Sequence, residues 1–191
     1  MKAIHLAIAL LALAPLSHCL AQSVQESQYV APSHPIELGR APKMQVQLIS
    51  DQGGHKEYAV IFGKGDEAFS GLTEFARKYN ITGGHFTAIG AIDHGTLAWF
   101  DRDRKMYKKI PVSHQAEVVS MIGDIGVYNG KPAVHTHMVV AFADGTTLGG
   151  HVLDAYVFPT LEVMVTVDPV PMYKTFDSET DLSLFNPSAK Q

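Results

Sequence analysis

The feature that most constrains the fold is a long series of strand-like segments following a single helix-like segment. In each strand-like segment apolar and polar residues alternate, which is typical of a strand with one buried face. One helix followed by a run of mostly antiparallel strands predicts an α+β domain with a mostly antiparallel, twisted β-sheet. The predicted strands are residues 85–91, 95–101, 106–111, 116–122, 133–142, 147–153 and 157–167.

A hairpin and the helix precede that series. Residues 44–49 and 58–62 alternate as strands around a turn of Asp, Gln and two glycines. The helix is predicted from Asp66, as its N-cap, to Asn80 and Gly83-Gly84. Its apolar positions make a single stripe suited to packing on a sheet. They are Phe69, Leu72, Phe75, Ala76 and Tyr79.

The first 21 residues have the three-part pattern of a secretory signal peptide. A positive start at Met1-Lys2 precedes a short apolar run, and small residues permit cleavage after Ala21. Lipidation at Cys19, the only cysteine, is an alternative that the preceding His18 disfavours. We therefore predict an exported, periplasmic protein with no stable membrane insertion. The predicted organisation is a signal peptide 1–21, a linker 22–43, a domain 44–168 and a C-terminal tail 169–191.

The charge balance argues against a nucleic-acid partner. The formal net charge is −4 and the chain has no basic run. Proteins that bind nucleic acid need clustered lysine and arginine to neutralise phosphates.

The strongest chemical signal is a His-x-His motif inside an apolar strand. Side chains alternate along a strand, so His135 and His137 point to the same face. Two imidazoles are costly to bury without partners. A shared metal ion would satisfy both, because neutral imidazole is a common ligand of zinc and of other divalent transition metals.

Whether His151 joins this pair depends on the register of the next hairpin. A two-residue loop at Asp144-Gly145 would place His151 on the wrong face unless a bulge at Gly149-Gly150 corrected it. A three-residue loop with Gly145 in the left-handed conformation sets His137 directly opposite His151. Both alternatives are open from the sequence, as is a third in which the histidines only bond backbone or water.

Three protein ligands would leave an open coordination position, as in catalytic zinc sites. Chemistry there requires a nearby carboxylate as general acid or base. Glu117 and Glu162 are single acids in apolar strands and are the candidates. The alternative for each is an acid on a solvated sheet face.

Several ordered motifs resemble the plants-and-prokaryotes-conserved (PPC) domain family, a domain of unknown function. They begin with Phe75-Ala76-Arg77 and the stretch Thr87 to Ile92. Ala116 to Gly123 follows, and the last runs from His135-Thr136-His137 to Gly149-Gly150-His151.

The resemblance implies a compact fold that assembles as a homotrimer, with sites near the subunit interfaces. It also implies a zinc site at His135, His137 and His151. The fold is similar to that of acetolactate decarboxylase, which uses three histidines and a glutamate, and this likeness makes Glu117 the preferred catalytic acid. The plant members bind DNA through an Arg-Gly-Arg-Pro hook, which this chain lacks.

Two functional hypotheses follow from the sequence. The first is an exported, metal-dependent lyase or hydrolase acting on a small molecule. The second is a non-catalytic trimeric module that binds metal or a small ligand. An open metal position beside a carboxylate would favour the enzyme, and a fourth protein ligand would favour the module.

Overall fold

The computed structural model describes residues 28–190, which form ten strands and one α-helix. The helix, α1, spans Ala68–Lys78. The strands, in chain order, are β1 Tyr29–Val30, β2 Gln45–Gln52, β3 His55–Gly63, β4 Gly84–Asp101, β5 Met106–Val112, β6 Ala116–Tyr128, β7 Lys131–Ala141, β8 Thr147–Val167, β9 Lys174–Asp177 and β10 Leu182–Phe185.

Eight of these strands make one antiparallel sheet in the order β1-β5-β4-β6-β7-β8-β3-β2. An additional pairing of β4 with β8 makes a closed circuit through β4, β6, β7 and β8. The helix packs across β7 and β8. The predicted α+β class, with a mostly antiparallel sheet and one main helix, is confirmed.

Two long strands each replace a pair of predicted shorter ones. The segments 85–91 and 95–101 belong to the continuous β4, and 147–153 and 157–167 belong to β8. Shifts in the β4–β8 register, between Gly90 and Ile92 and twice further along, bend the strands without ending them. A Cβ at Gly90 would lie 2.3 Å from the carbonyl oxygen of Thr160, so the close approach of the two strands requires glycine there.

The apolar stripe of α1 packs into the core as predicted. Phe69, Leu72, Phe75 and Ala76 are buried, and Tyr79 at the helix end is partly exposed. They meet apolar residues from the inner face of the sheet. Among the most completely buried of these are Phe62, Met121, Ile125, Met138 and Leu161.

The predicted N-cap at Asp66 is wrong, because Glu67 caps the helix. The Glu67 carboxylate accepts the backbone N–H groups of Phe69 and Ser70 at 2.9 and 2.6 Å. Asp66 is also buried, but its carboxylate accepts the N–H groups of Lys43 and Gly63, which precede the helix. Asp66 is thus bonded to segments that precede the helix, and the next residue, Glu67, satisfies free N–H groups of the first turn.

The segments predicted as linker and tail contribute structure on both sides of the domain. β1 pairs with β5, and the carbonyl oxygen of Arg40 accepts the N–H of Glu67. After β8, the strands β9 and β10 form a C-terminal hairpin.

The predicted signal peptide, its cleavage after Ala21 and Cys19 lie outside the described residues and stay predictions. Within residues 28–190, no helix is long and apolar enough to cross a membrane.

Candidate metal site

The β7–β8 hairpin adopts the three-residue loop that the sequence left open. The N–H of Phe142 donates to the carbonyl oxygen of Thr146 at 2.9 Å, and Gly145 has a φ of +81°. This loop places His137 directly opposite His151. All three predicted ligands therefore come together at one place on the sheet.

The preceding hairpin, between β6 and β7, adds a carboxylate to the histidines. Asn129 and Gly130 both have positive φ and form a two-residue loop that pairs Tyr128 with Lys131. Four residues away from the loop on each strand, this register sets Asp124 of β6 opposite His135 of β7.

The three imidazoles form a compact group. One ligand nitrogen from each lies within 4.8 Å of the others, and the Nε2 atoms of His135 and His137 are 3.2 Å apart. Two nitrogens bound tetrahedrally to zinc at about 2.0–2.1 Å would be about 3.3 Å apart. The pair already has the spacing of two ligands of one ion, and a nitrogen of His151 lies within 4.8 Å of both.

His151 is the most enclosed member of the group. Its ring stacks on the ring of Tyr107, with centroids 4.4 Å apart and planes 9° from parallel. Its Nδ1 is buried and has no hydrogen-bond partner among the described residues. A buried polar atom without a partner costs free energy, and metal coordination is one way in which an imidazole nitrogen is satisfied.

Burial keeps the imidazoles of His137 and His151 neutral, which is the form that binds metal. Burial, and then the neighbouring His135 and His137, lower the pKa of His151 to about 3. Burial, and then His135, also lower the pKa of His137. At neutral pH both rings therefore carry a free lone pair.

Asp124 lies behind His135 and is itself held by a lysine. Its Oδ2 is 3.2 Å from His135 Nδ1, and its Oδ1 accepts a hydrogen bond of 2.6 Å from Lys174 Nζ. Burial alone would raise the pKa of Asp124, but the bonds from His135 and Lys174 outweigh it and lower the pKa. Asp124 is therefore ionised, and its Oδ2 can accept a hydrogen bond from the Nδ1–H group of His135.

The structure does not bring the predicted acids Glu117 and Glu162 into the cluster. Both side chains are exposed. Glu117 pairs with Ala141, four residues along β7 from His137, which corresponds to about 13 Å. A catalytic role for Glu117 stays a prediction.

Sequence reasoning missed three residues around the histidines: Asp124, Tyr107 and Lys174. The Asn129-Gly130 dipeptide was the available signal for Asp124, because it is typical of a two-residue hairpin and sets the register. No comparable signal points to Tyr107 or Lys174, since their contacts are made by segments distant in the chain.

A cleft of about 300 Å³ opens elsewhere on the domain, and none of the three histidines is among its lining residues. It lies between the segment before β2, the start of α1 and the outer face of β4, β5 and β8. Leu153, two residues after His151, is part of its lining. The charged and polar lining residues are His34, Glu37, Arg40, Glu67, Thr96, Lys109 and Asp154.

Comparison with known proteins assigns the chain to a family. The model of the Plants and Prokaryotes Conserved (PCC) domain, also abbreviated PPC, matches residues 49–168. No curated protein matches the sequence significantly.

Three solved structures are similar in fold. A plant- and prokaryote-conserved protein of Pyrococcus horikoshii has a TM-score of 0.65 and 22% identity, over 76% of this chain and 97% of that one. A metal-containing protein of Archaeoglobus fulgidus has a TM-score of 0.64 and 25% identity, over 75% and 97%. A protein of Bacteroides thetaiotaomicron, provisionally named a DNA-binding protein, has a TM-score of 0.68 and 24% identity, over 75% and 96%.

Proposed function

We propose that this chain, which belongs to the Plants and Prokaryotes Conserved (PCC) domain family, is an exported protein. We further propose that it binds zinc at His135, His137 and His151. The observation that carries the proposal is the convergence of the three imidazoles, with one buried nitrogen unpartnered. The Archaeoglobus fulgidus relative, a metal-containing protein, supports a metal in this fold. An all-nitrogen set of three imidazoles suits zinc among the common divalent metals.

The proposed activity is that of a metal-dependent lyase or hydrolase acting on a small molecule. Three protein ligands leave a coordination position open, and a zinc ion there lowers the pKa of water or polarises a carbonyl. A cleft that shares strand β8 with His151, through Leu153, has the volume of a small-molecule site and carries both acidic and basic side chains. The Asp124 carboxylate holds the His135 ring in place during such chemistry.

A second candidate is a non-catalytic module that binds a metal or a small ligand. The observation that favours it is the exposure of Glu117 and Glu162, which leaves the cluster without the predicted acid. Turnover of small esters, amides or 2-hydroxy-3-keto acids by the zinc-loaded chain, lost in a ligand variant, would decide for the enzyme.

Metal content per chain tests the proposal directly. The chain, purified without a histidine tag or chelator, is expected to contain about one zinc per subunit by mass spectrometry, because the group offers one set of ligands. Denatured protein treated in parallel serves as the control for adventitious metal. A chain that stays metal-free after incubation with zinc would contradict the site.

A homotrimer is the proposed assembly. Five large apolar side chains, each at least 40% exposed, lie on the neighbouring strands β4, β6, β7 and β8 of the sheet. Ile122, one of them, lies directly opposite His137, so the surface borders the metal site. Contiguous exposed apolar patches mark association surfaces. This apolar outer face consists of Ile89, Val119, Ile122, Val139 and Met164.

Ile89→Glu is expected to break the assembly into monomers. Ile89 is opposite Glu162 in the sheet, so the variant would bury two carboxylates side by side at the interface. Like charges there cost several kcal/mol, which corresponds to a loss of association of about 100-fold or more. Sedimentation velocity measures it. Val170→Glu, at an exposed position in the loop after β8, is the control and should keep the wild-type mass. A wild-type monomer, or an unchanged Ile89→Glu assembly, would refute this surface.

Export is proposed because the first 21 residues have the pattern of a signal peptide. No nucleic-acid partner is proposed. Cell fractionation with mass spectrometry of the mature chain tests export, and an N-terminus at Gln22 is expected. The net charge of −4 and the lack of a basic run argue against DNA for this chain.

A further inference from the structure

The C-terminal hairpin, β9 and β10, lies beyond the residues that the family model matches, yet it reaches the metal site. Lys174 at the start of β9 donates to Asp124 Oδ1 at 2.6 Å. The other carboxylate oxygen of Asp124 is 3.2 Å from His135 Nδ1. Three side chains from β9, β6 and β7 therefore form a continuous chain that ends at a predicted ligand.

The burial of Lys174 makes this contact more than a surface ion pair. Lys174 is only 8% exposed, and its ammonium lies 4.6 Å from the ring centroid of Phe185 in β10. A buried ammonium is strongly unfavourable unless it is paired. Asp124 is the carboxylate that pairs with it, so the hairpin docks with its cation on Asp124.

Asp124 in turn determines how His135 faces the cluster. An ionised carboxylate accepts only, so His135 must present Nδ1–H to it. The lone pair of His135 then lies on Nε2, which is the nitrogen directed at His137. Carboxylates in this position orient a ligand histidine and increase its basicity, and their loss typically costs 10–100-fold in metal affinity.

We propose that Lys174 is a positioning residue for the metal site and that docking of the C-terminal hairpin and metal binding are coupled through Asp124. This rests on the proposed function. The coupling is reciprocal by thermodynamic necessity: a docked hairpin raises metal affinity, and bound metal stabilises the docked hairpin.

Zinc affinity of matched variants tests the proposal. Competition with a chromophoric chelator is measured for the full chain, Lys174→Met and Lys105→Met. Lys105 contacts the loop of the hairpin at the surface, through the carbonyl oxygen of Ser178 and through Asp181, so it should contribute little to docking, and it does not touch Asp124. Lys174→Met is expected to lose about 10-fold or more in zinc affinity and Lys105→Met less than about 3-fold. Lys174→Arg, which retains the charge, should recover most of the loss.

Equal affinity in wild type and Lys174→Met would overturn the inference, and so would equal losses in both lysine variants. Hydrogen exchange in the wild-type chain tests the reverse direction without any substitution, should Lys174→Met fail to fold. Zinc should slow exchange of the β9 and β10 amides, and unchanged rates would refute the coupling. A wild-type chain that binds no zinc would instead refute the proposed function itself.

Discussion

His137→Ala is expected to remove the metal while the domain stays folded. His137 is exposed on the outer face of β7, so its truncation costs little packing. As one of three ligands, it should account for more than the 10–100-fold that is typical of residues behind a ligand. Mass spectrometry after zinc loading and gel filtration measures the bound metal, and circular dichroism checks the fold.

His85→Ala is the matched control for that variant. His85 is also a histidine exposed on a strand of the same sheet, and it lies outside the cluster. It should retain about one zinc per chain. If His137→Ala also retained stoichiometric metal, the assignment of the three ligands would be wrong.

Glu67→Ala is expected to have the largest effect on stability. The Glu67 carboxylate accepts three backbone N–H groups, from Phe69, Ser70 and Ala155, and so ties the start of α1 to β8. Glu67 is 4% exposed, so the variant would leave buried donors without partners. Loss of the cap and of these bonds should lower the free energy of unfolding by about 2–4 kcal/mol.

The pKa of Glu67 gives this effect a pH dependence. Burial raises the pKa above the ordinary value of 4.5, although bonds from Ala155, Ser70 and Phe69 oppose it. The folded state therefore binds the Glu67 proton more readily than the unfolded state, and wild-type stability gains as pH falls towards 4.5. The cost of Glu67→Ala should accordingly be larger at acidic than at neutral pH.

Urea unfolding at one fixed protein concentration measures both effects, because assembly would make stability depend on concentration. Glu57→Ala, at an exposed strand position, is the control and should stay within about 0.5 kcal/mol of wild type. A Glu67→Ala chain as stable as this control would show that the cap contributes nothing.

Local patterns in the sequence were sufficient for the fold class. Period-two alternation identified the segments of β2 to β8, although not the short β1, β9 and β10, because a half-buried strand imposes that period wherever it lies in the sheet. The stripe from Phe69 to Ala76 identified α1 for the same reason, with a period of 3.6. The N-cap was placed at Asp66 because spacing alone does not show which of two adjacent carboxylates reaches the helix.

The sequence by itself also determined that His135 and His137 share a face, because side-chain alternation is a property of any strand. Tertiary structure decided that His151 joins them, since one residue more or less in the β7–β8 loop reverses the face of every residue beyond it. It also decided that β4 closes on β8, that Tyr107 covers His151 and that Lys174 meets Asp124. These contacts join residues far apart in the chain, and their free energy depends on packing and burial that no local pattern encodes.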